Sequence, residues 1–134
     1  MKQRLLYILL SVPIILVWQS TGVAYDSERA KNNFAHDLAQ CAAYYMLVSK
    51  APSLDESTSK KLWDSGMSLS VFSAQLTSEK LALARVDLEM ITMQREMENT
   101  WDNTSIINNK YGYFCKDLAE KPESRLQYWL NKED

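Results

Sequence analysis

The sequence predicts an all-α fold: a small helical bundle of three long helices, a fourth helix and a short C-terminal helix, held by one disulfide and preceded by an export signal. Three observations carry this. Glycine and proline number three each, so little is available for tight hairpins or glycine-rich loops, while the strong helix formers are abundant. Apolar residues recur at helical spacing through most of the chain. The two cysteines, Cys41 and Cys115, stand in two separate apolar stretches.

The chain opens with two cations, Lys2 and Arg4, ahead of an apolar run from Leu5 to Trp18 and a small-x-small end at Gly22 and Ala24. This is the three-part form of a secretory signal peptide, with cleavage expected after Ala24. The run is interrupted by Pro13 and is shorter than the 18 or more residues a spanning helix usually needs. An uncleaved N-terminal anchor is the alternative, supported by Trp18 at an interface position. The division is then 1–24 signal peptide and 25–134 one helical-bundle domain. The expected compartment is periplasmic or secreted, with no stable membrane insertion once the signal is cleaved.

Residues 1–24 contain no acid, so the mature chain keeps 13 of the 15 cations against all 17 acids, a net charge near −4. That argues against a nucleic-acid partner, which requires clustered positive charge. In an oxidising compartment the two cysteines read as the pair Cys41–Cys115, closing a 74-residue loop. Chain-entropy arithmetic gives such a loop about 4.5 kcal/mol, an upper figure.

Helix 1 is expected from near Ser27 to just before Pro52. Phe34, Leu38, Cys41, Ala42, Tyr45 and Val48 share its core face. Ser53-Leu54-Asp55-Glu56 offers a capping box for helix 2, whose core face reads Leu62, Leu69, Phe72 and Leu76 with Ser65 and Ser73 beside it. Thr77-Ser78-Glu79 offers the next cap.

Helix 3, Ser78 to Thr100, shows two apolar stripes. One is Leu81, Ala84, Leu88 and Ile91; the other is Leu83, Val86, Met90, Met93, Met97 and Trp101. Such a helix is either central in the bundle or packed once on the core and once on a partner. A loop is expected over Trp101–Ser105, where Asn103-Thr104-Ser105 is formally a glycosylation sequon with meaning only in a eukaryotic source. Helix 4 carries Ile107, Tyr111, Phe114, Cys115 and Leu118 on one face, and Gly112 permits close approach or a bend. Pro122 opens the last helix, with Leu126, Trp129 and Leu130 facing in.

No catalytic constellation stands out, and no cofactor is implied. The chain has one histidine, His36, expected as a solvated or partly buried side chain. Nucleotide-binding, zinc-protease, calcium-loop and haem-attachment motifs are absent. The acids Asp87 with Glu98 and Glu89 with Glu96 are not at paired helical spacing, and Asp37 has no acid partner on its face.

The functional expectation is therefore protein–protein binding, as an inhibitor or immunity protein, a chaperone or an accessory subunit. Its partner would be another exported or envelope protein, or a second copy. The expected contact is the second stripe of helix 3: Leu83, Met90, Met93, Met97 and Trp101, treated as surplus once Leu81, Ala84, Leu88 and Ile91 face the core. Three alternatives stand beside it. The spacing of Met90, Met93 and Met97 is also what a core stripe filled with adaptable side chains produces. Soft thioethers at Met90, Met93 and Met97 suit Cu(I), and an unrecognised small enzyme would share the same build.

Overall fold

The computed structural model describes residues 21–132, and its longer helices all pack on the first. Of the expected signal peptide, residues 1–20 lie outside the described residues. Helix α1 spans Thr21–Val48, so it starts ahead of the expected Ser27. From Phe34 to Leu47 it is enclosed on nearly every side, with Phe34, Ala35, Leu38, Ala39, Cys41, Ala42, Ala43, Tyr44, Met46 and Leu47 all buried. The sequence offered helix 3 as the central helix, and the structure places α1 there. Its expected face is one of several, because Ala35, Ala39 and Ala43 present little side chain and admit neighbouring helices at short range. The helix closes ahead of Pro52, as expected, with Ser49 N–H on Tyr45 O and Lys50 N–H on Leu47 O.

Helix α2, Glu56–Leu76, is capped by Asp55 and not by Ser53. The Asp55 carboxylate accepts from the Thr58 N–H at 2.9 Å and the Thr58 hydroxyl at 2.6 Å. Those bonds hold its carboxyl below the usual range. The buried line on α2 is Gly66, Leu69, Ser70 and Ser73. Three of these four are small, which is how α2 lies close against α1. A Cβ at Gly66 would sit 2.7 Å from Met46 Cγ and 2.9 Å from the Ala42 carbonyl oxygen. The Ser73 hydroxyl, fully enclosed, donates to Ala35 O at 2.7 Å.

Helix α3, Glu79–Glu96, is capped by Ser78, which accepts from Leu81 N–H. It ends where Glu98 and Asn99 turn left-handed at φ 55° and 56°; asparagine tolerates that region, while a residue such as Glu98 pays about 1–2 kcal/mol. The expected loop at Trp101–Ser105 is instead a 3-10 turn, Trp101–Asn103, leading into α4, Thr104–Ile107. Side-chain bonds organise it: the Thr104 hydroxyl donates to Trp101 O, and Asn103 Nδ2 donates to Met97 O at 3.2 Å. The sequon amide is thus engaged in closing the end of α3.

A π-helical turn, Asn108–Gly112, joins α4 to α5, Tyr113–Glu120. Gly112 faces Tyr44, whose hydroxyl oxygen would lie 3.1 Å from a Cβ there. That hydroxyl donates to Asn108 Oδ1, so the expected close approach is real. Cys115 is bonded to Cys41, with Cα atoms 5.2 Å apart, tying α5 to the middle of α1 as the sequence predicted. Pro122 opens α6, Pro122–Asn131. Leu126 and Trp129 pack on the core, but Leu130 is exposed, contrary to expectation.

Candidate interaction surface

The second stripe of α3 is taken into the core, as the core reading of its methionines had it, and the first stripe, expected to face the core, lies outside. The side facing α1 and α2 is Ala82, Val86, Met93 and Met97, all buried. Met93 is 0% exposed and Met97 2%, while Met90 and Trp101 are partly buried against the same apolar cluster. These residues are therefore no open contact face, and the thioethers of Met93 and Met97 sit within the core. Leu83 alone of the five expected contact residues stands out to solvent, at 50%. The stripe assigned to the core, Leu81, Ala84, Leu88 and Ile91, is exposed along its length.

Polar contacts accompany that orientation. Arg85 and Glu89, one helical turn apart, flank the buried side of α3 and both reach α1. Arg85 Nη2 donates to Asn32 Oδ1 at 2.8 Å, and Glu89 accepts from Gln40 Nε2 at 3.1 Å, with His36 Nε2 3.5 Å from its other oxygen. With both against α1, helical spacing puts residues 82, 86 and 93 on the inward side.

The exposed side of Leu83 opens onto a groove of about 410 Å³ between α2 and α3. Met67, Val71 and Ala74 wall it from α2, and Ala82 and Leu83 from α3; Gln75 and Glu79 stand at its polar end. Met67 is 43% exposed and Val71 52%. The signal for this wall was present in the sequence: Trp63, Met67 and Val71 recur every four residues, a second apolar line on helix 2. Trp63, also exposed, lies beneath the Lys50 ammonium at 5.8 Å.

The polar clusters elsewhere are engaged in joining helices. Asp37 Oδ2 accepts from Arg125 Nε and from Trp129 Nε1, each at 2.6 Å. The same guanidinium lies over Phe114, Tyr128 and Trp129 at 4.4–5.0 Å. Glu96 Oε1 accepts from Lys110 Nζ at 2.6 Å and from the Tyr111 hydroxyl at 3.1 Å. The bond to Glu96 holds the Lys110 ammonium well above its ordinary range, so it stays charged. Among the described residues no group of three or more His, Cys, Asp or Glu side chains could hold a metal ion. No described helix is long and apolar enough to cross a membrane.

Fold and surface together define a disulfide-stapled helical bundle with an open apolar groove along one flank. No family model matches the chain, and neither a curated protein nor a solved structure matches it.

Proposed function

We propose that this is an exported, non-catalytic binding protein that receives an apolar helical segment of another envelope or secreted protein in the α2–α3 groove. The observation that carries the reading is the groove itself. Met67, Val71 and Leu83 line it with 43–52% of their surfaces open, while α2 and α3 already have full core contacts on their other sides. Water contact of that kind is unfavourable by roughly 25 cal/mol for each Å² of apolar surface, and covering it is the gain a partner realises. Two helices of a hairpin walling an apolar trough suit a third helix, which enters with residues at i, i+3, i+4 and i+7. Methionine in the wall accommodates different apolar shapes. Export is supported by the N-terminal pattern of cations and apolar residues, and by a disulfide buried between α1 and α5.

The test is a photo-crosslinking residue at Val71, with one at exposed Lys116 as control, in the native envelope. A discrete adduct at Val71 that disappears with Leu83→Glu supports the reading, provided helical circular dichroism is unchanged. Equal labelling at both positions, or an adduct indifferent to Leu83→Glu, removes it. Met93→Glu calibrates the comparison: a carboxylate at that enclosed site should cost several kcal/mol and unfold the bundle.

A further inference from the structure

Helix α6 is attached to the bundle more lightly than the helix before it. It spans 10 residues, none of them buried, and it begins without a side-chain cap. Its apolar hold is two partly buried side chains, Leu126 and Trp129, on the cluster that contains Phe34. Its polar hold converges on one atom, Asp37 Oδ2, which accepts from both Arg125 Nε and Trp129 Nε1. The Arg125 guanidinium also lies 5.0 Å over the Phe114 ring of α5, so it grips two neighbours. Helix α5, by contrast, is pinned to α1 by the Cys41–Cys115 disulfide. One residue outside either helix joins the two, Lys121, at φ −139° and ψ 61°. Its N–H closes α5 on Asp117 O, and its carbonyl opens α6 by accepting from Ser124 N–H. Neither backbone bond ties one helix to the other.

We propose that α6 is a strap, opening as one unit about Lys121 while α1 to α5 stay folded, with the Asp37 carboxylate as its latch. The disulfide fixes where the opening stops, because Cys115 holds α5 in place whether or not α6 is seated. A helix of this length is marginal by itself in water. Once released, the segment therefore loses its helix and leaves its seat bare.

The seat is the side of α1 that carries Ala30, Phe34 and Asp37, together with Phe72 of α2. With the strap in place Ala30 is 2% exposed, Phe34 1% and Asp37 8%. Phe34 meets Phe72 edge-on at 5.6 Å, and Pro122 and Leu126 of α6 line one cleft with those two rings. Opening uncovers these aromatic residues and leaves the carboxylate without its two donors. The open form thus presents a second apolar face with a negative charge beside it. That face shares no residue with the α2–α3 groove.

Native-state amide exchange of the protein with its disulfide intact, followed residue by residue, reads the opening. The amides of residues 126–130 should share one protection factor, well below those of α1 and α2. Asp37→Asn should lower that shared factor about ten- to a hundredfold, the worth of hydrogen bonds to a charged group. Arg125→Met, which leaves α1 untouched, should lower it in the same direction. Protection in α1 and α2 should hold in both variants. Asp64→Asn, which breaks an exposed pair within α2, should leave α6 as it was. Protection that fades residue by residue toward Asn131 and ignores both Asp37→Asn and Arg125→Met is end fraying, and overturns the strap. So does an equal loss of protection in every helix, which would make α6 part of one cooperative unit.

Discussion

The two flanks of α1 are attached by different physics. On one side α2 lies close because Gly66, Ser70 and Ser73 remove side-chain bulk, and at Gly66 the Ala42 carbonyl and the Met46 side chain fill the place of a Cβ. On the other side α5 and α6 are held by a covalent bond and by polar bonds that reach across. The disulfide joins Cys115 to Cys41, and Asp37 gathers Arg125 and Trp129. Helix α6 contains no buried residue, so these directed bonds substitute for apolar area there. The difference teaches where free surface arises. A helix docked through small residues turns its large apolar side chains outward, and Trp63, Met67 and Val71 are the result. A helix docked through bonds uses its aromatic residues to shield those bonds, as Phe114, Tyr128 and Trp129 do around Arg125.

The sharpest way to break this contrast is to remove the covalent link. Cys41→Ala combined with Cys115→Ala should cost on the order of 2–5 kcal/mol in urea unfolding, the usual loss for a small exported domain. Amide exchange should rise first in α5 and α6, with α1–α2 protected longest. Uniform loss of protection would show that the two flanks are one cooperative unit.

A smaller effect tests the other flank. Gly66→Ala would gain about 1 kcal/mol in helix propensity at an open position. Here the added methyl meets the Ala42 carbonyl oxygen at 2.9 Å, which cannot turn aside as the Met46 side chain can. A net loss of about 1–2 kcal/mol is expected in thermal unfolding. A stabilised variant would show that α1 and α2 are free to separate at that level.

The smallest expected effect is a pH dependence where α1 meets the π turn. Burial raises Tyr44 and Tyr111 above the ordinary value of 10.0. Their neutral hydroxyls are favoured in the folded state. Stability from this source is full below the unfolded value and declines as pH rises through the folded values. Tyr44→Phe should flatten the loss of stability seen between about pH 9 and about pH 11. At lower pH it should cost about 0.5–1.5 kcal/mol for the bond to Asn108. An unchanged alkaline slope would show that Tyr44 ionises as freely in the folded protein as in the unfolded.

Much of the architecture was legible because it is written in local terms. Proline marked the end of α1 and the start of α6, Ser78 marked the start of α3, and a chain with two cysteines offered one pairing. The face from α4 to α5 was legible too, since Ile107, Tyr111, Cys115 and Leu118 are all buried and Phe114 packs partly against them. The cap of α2 was misplaced by two residues because Ser53 and Asp55 both suit the role. A carboxylate reaching two Thr58 donors decided it.

What the sequence by itself determined is therefore the set of helices, the disulfide between α1 and α5, and the presence of more apolar stripes than one core requires. What only the tertiary structure decided is which stripe the core takes. Leu81, Ala84, Leu88 and Ile91 are as apolar as Val86, Met90, Met93 and Met97, so periodicity alone ranks them equally. The choice is made by contacts distant in the chain: the buried side packs on α1, where Arg85 and Glu89 also find Asn32 and Gln40, some fifty residues away. Periodicity reports that a face is apolar; only its neighbours in space fix what that face meets.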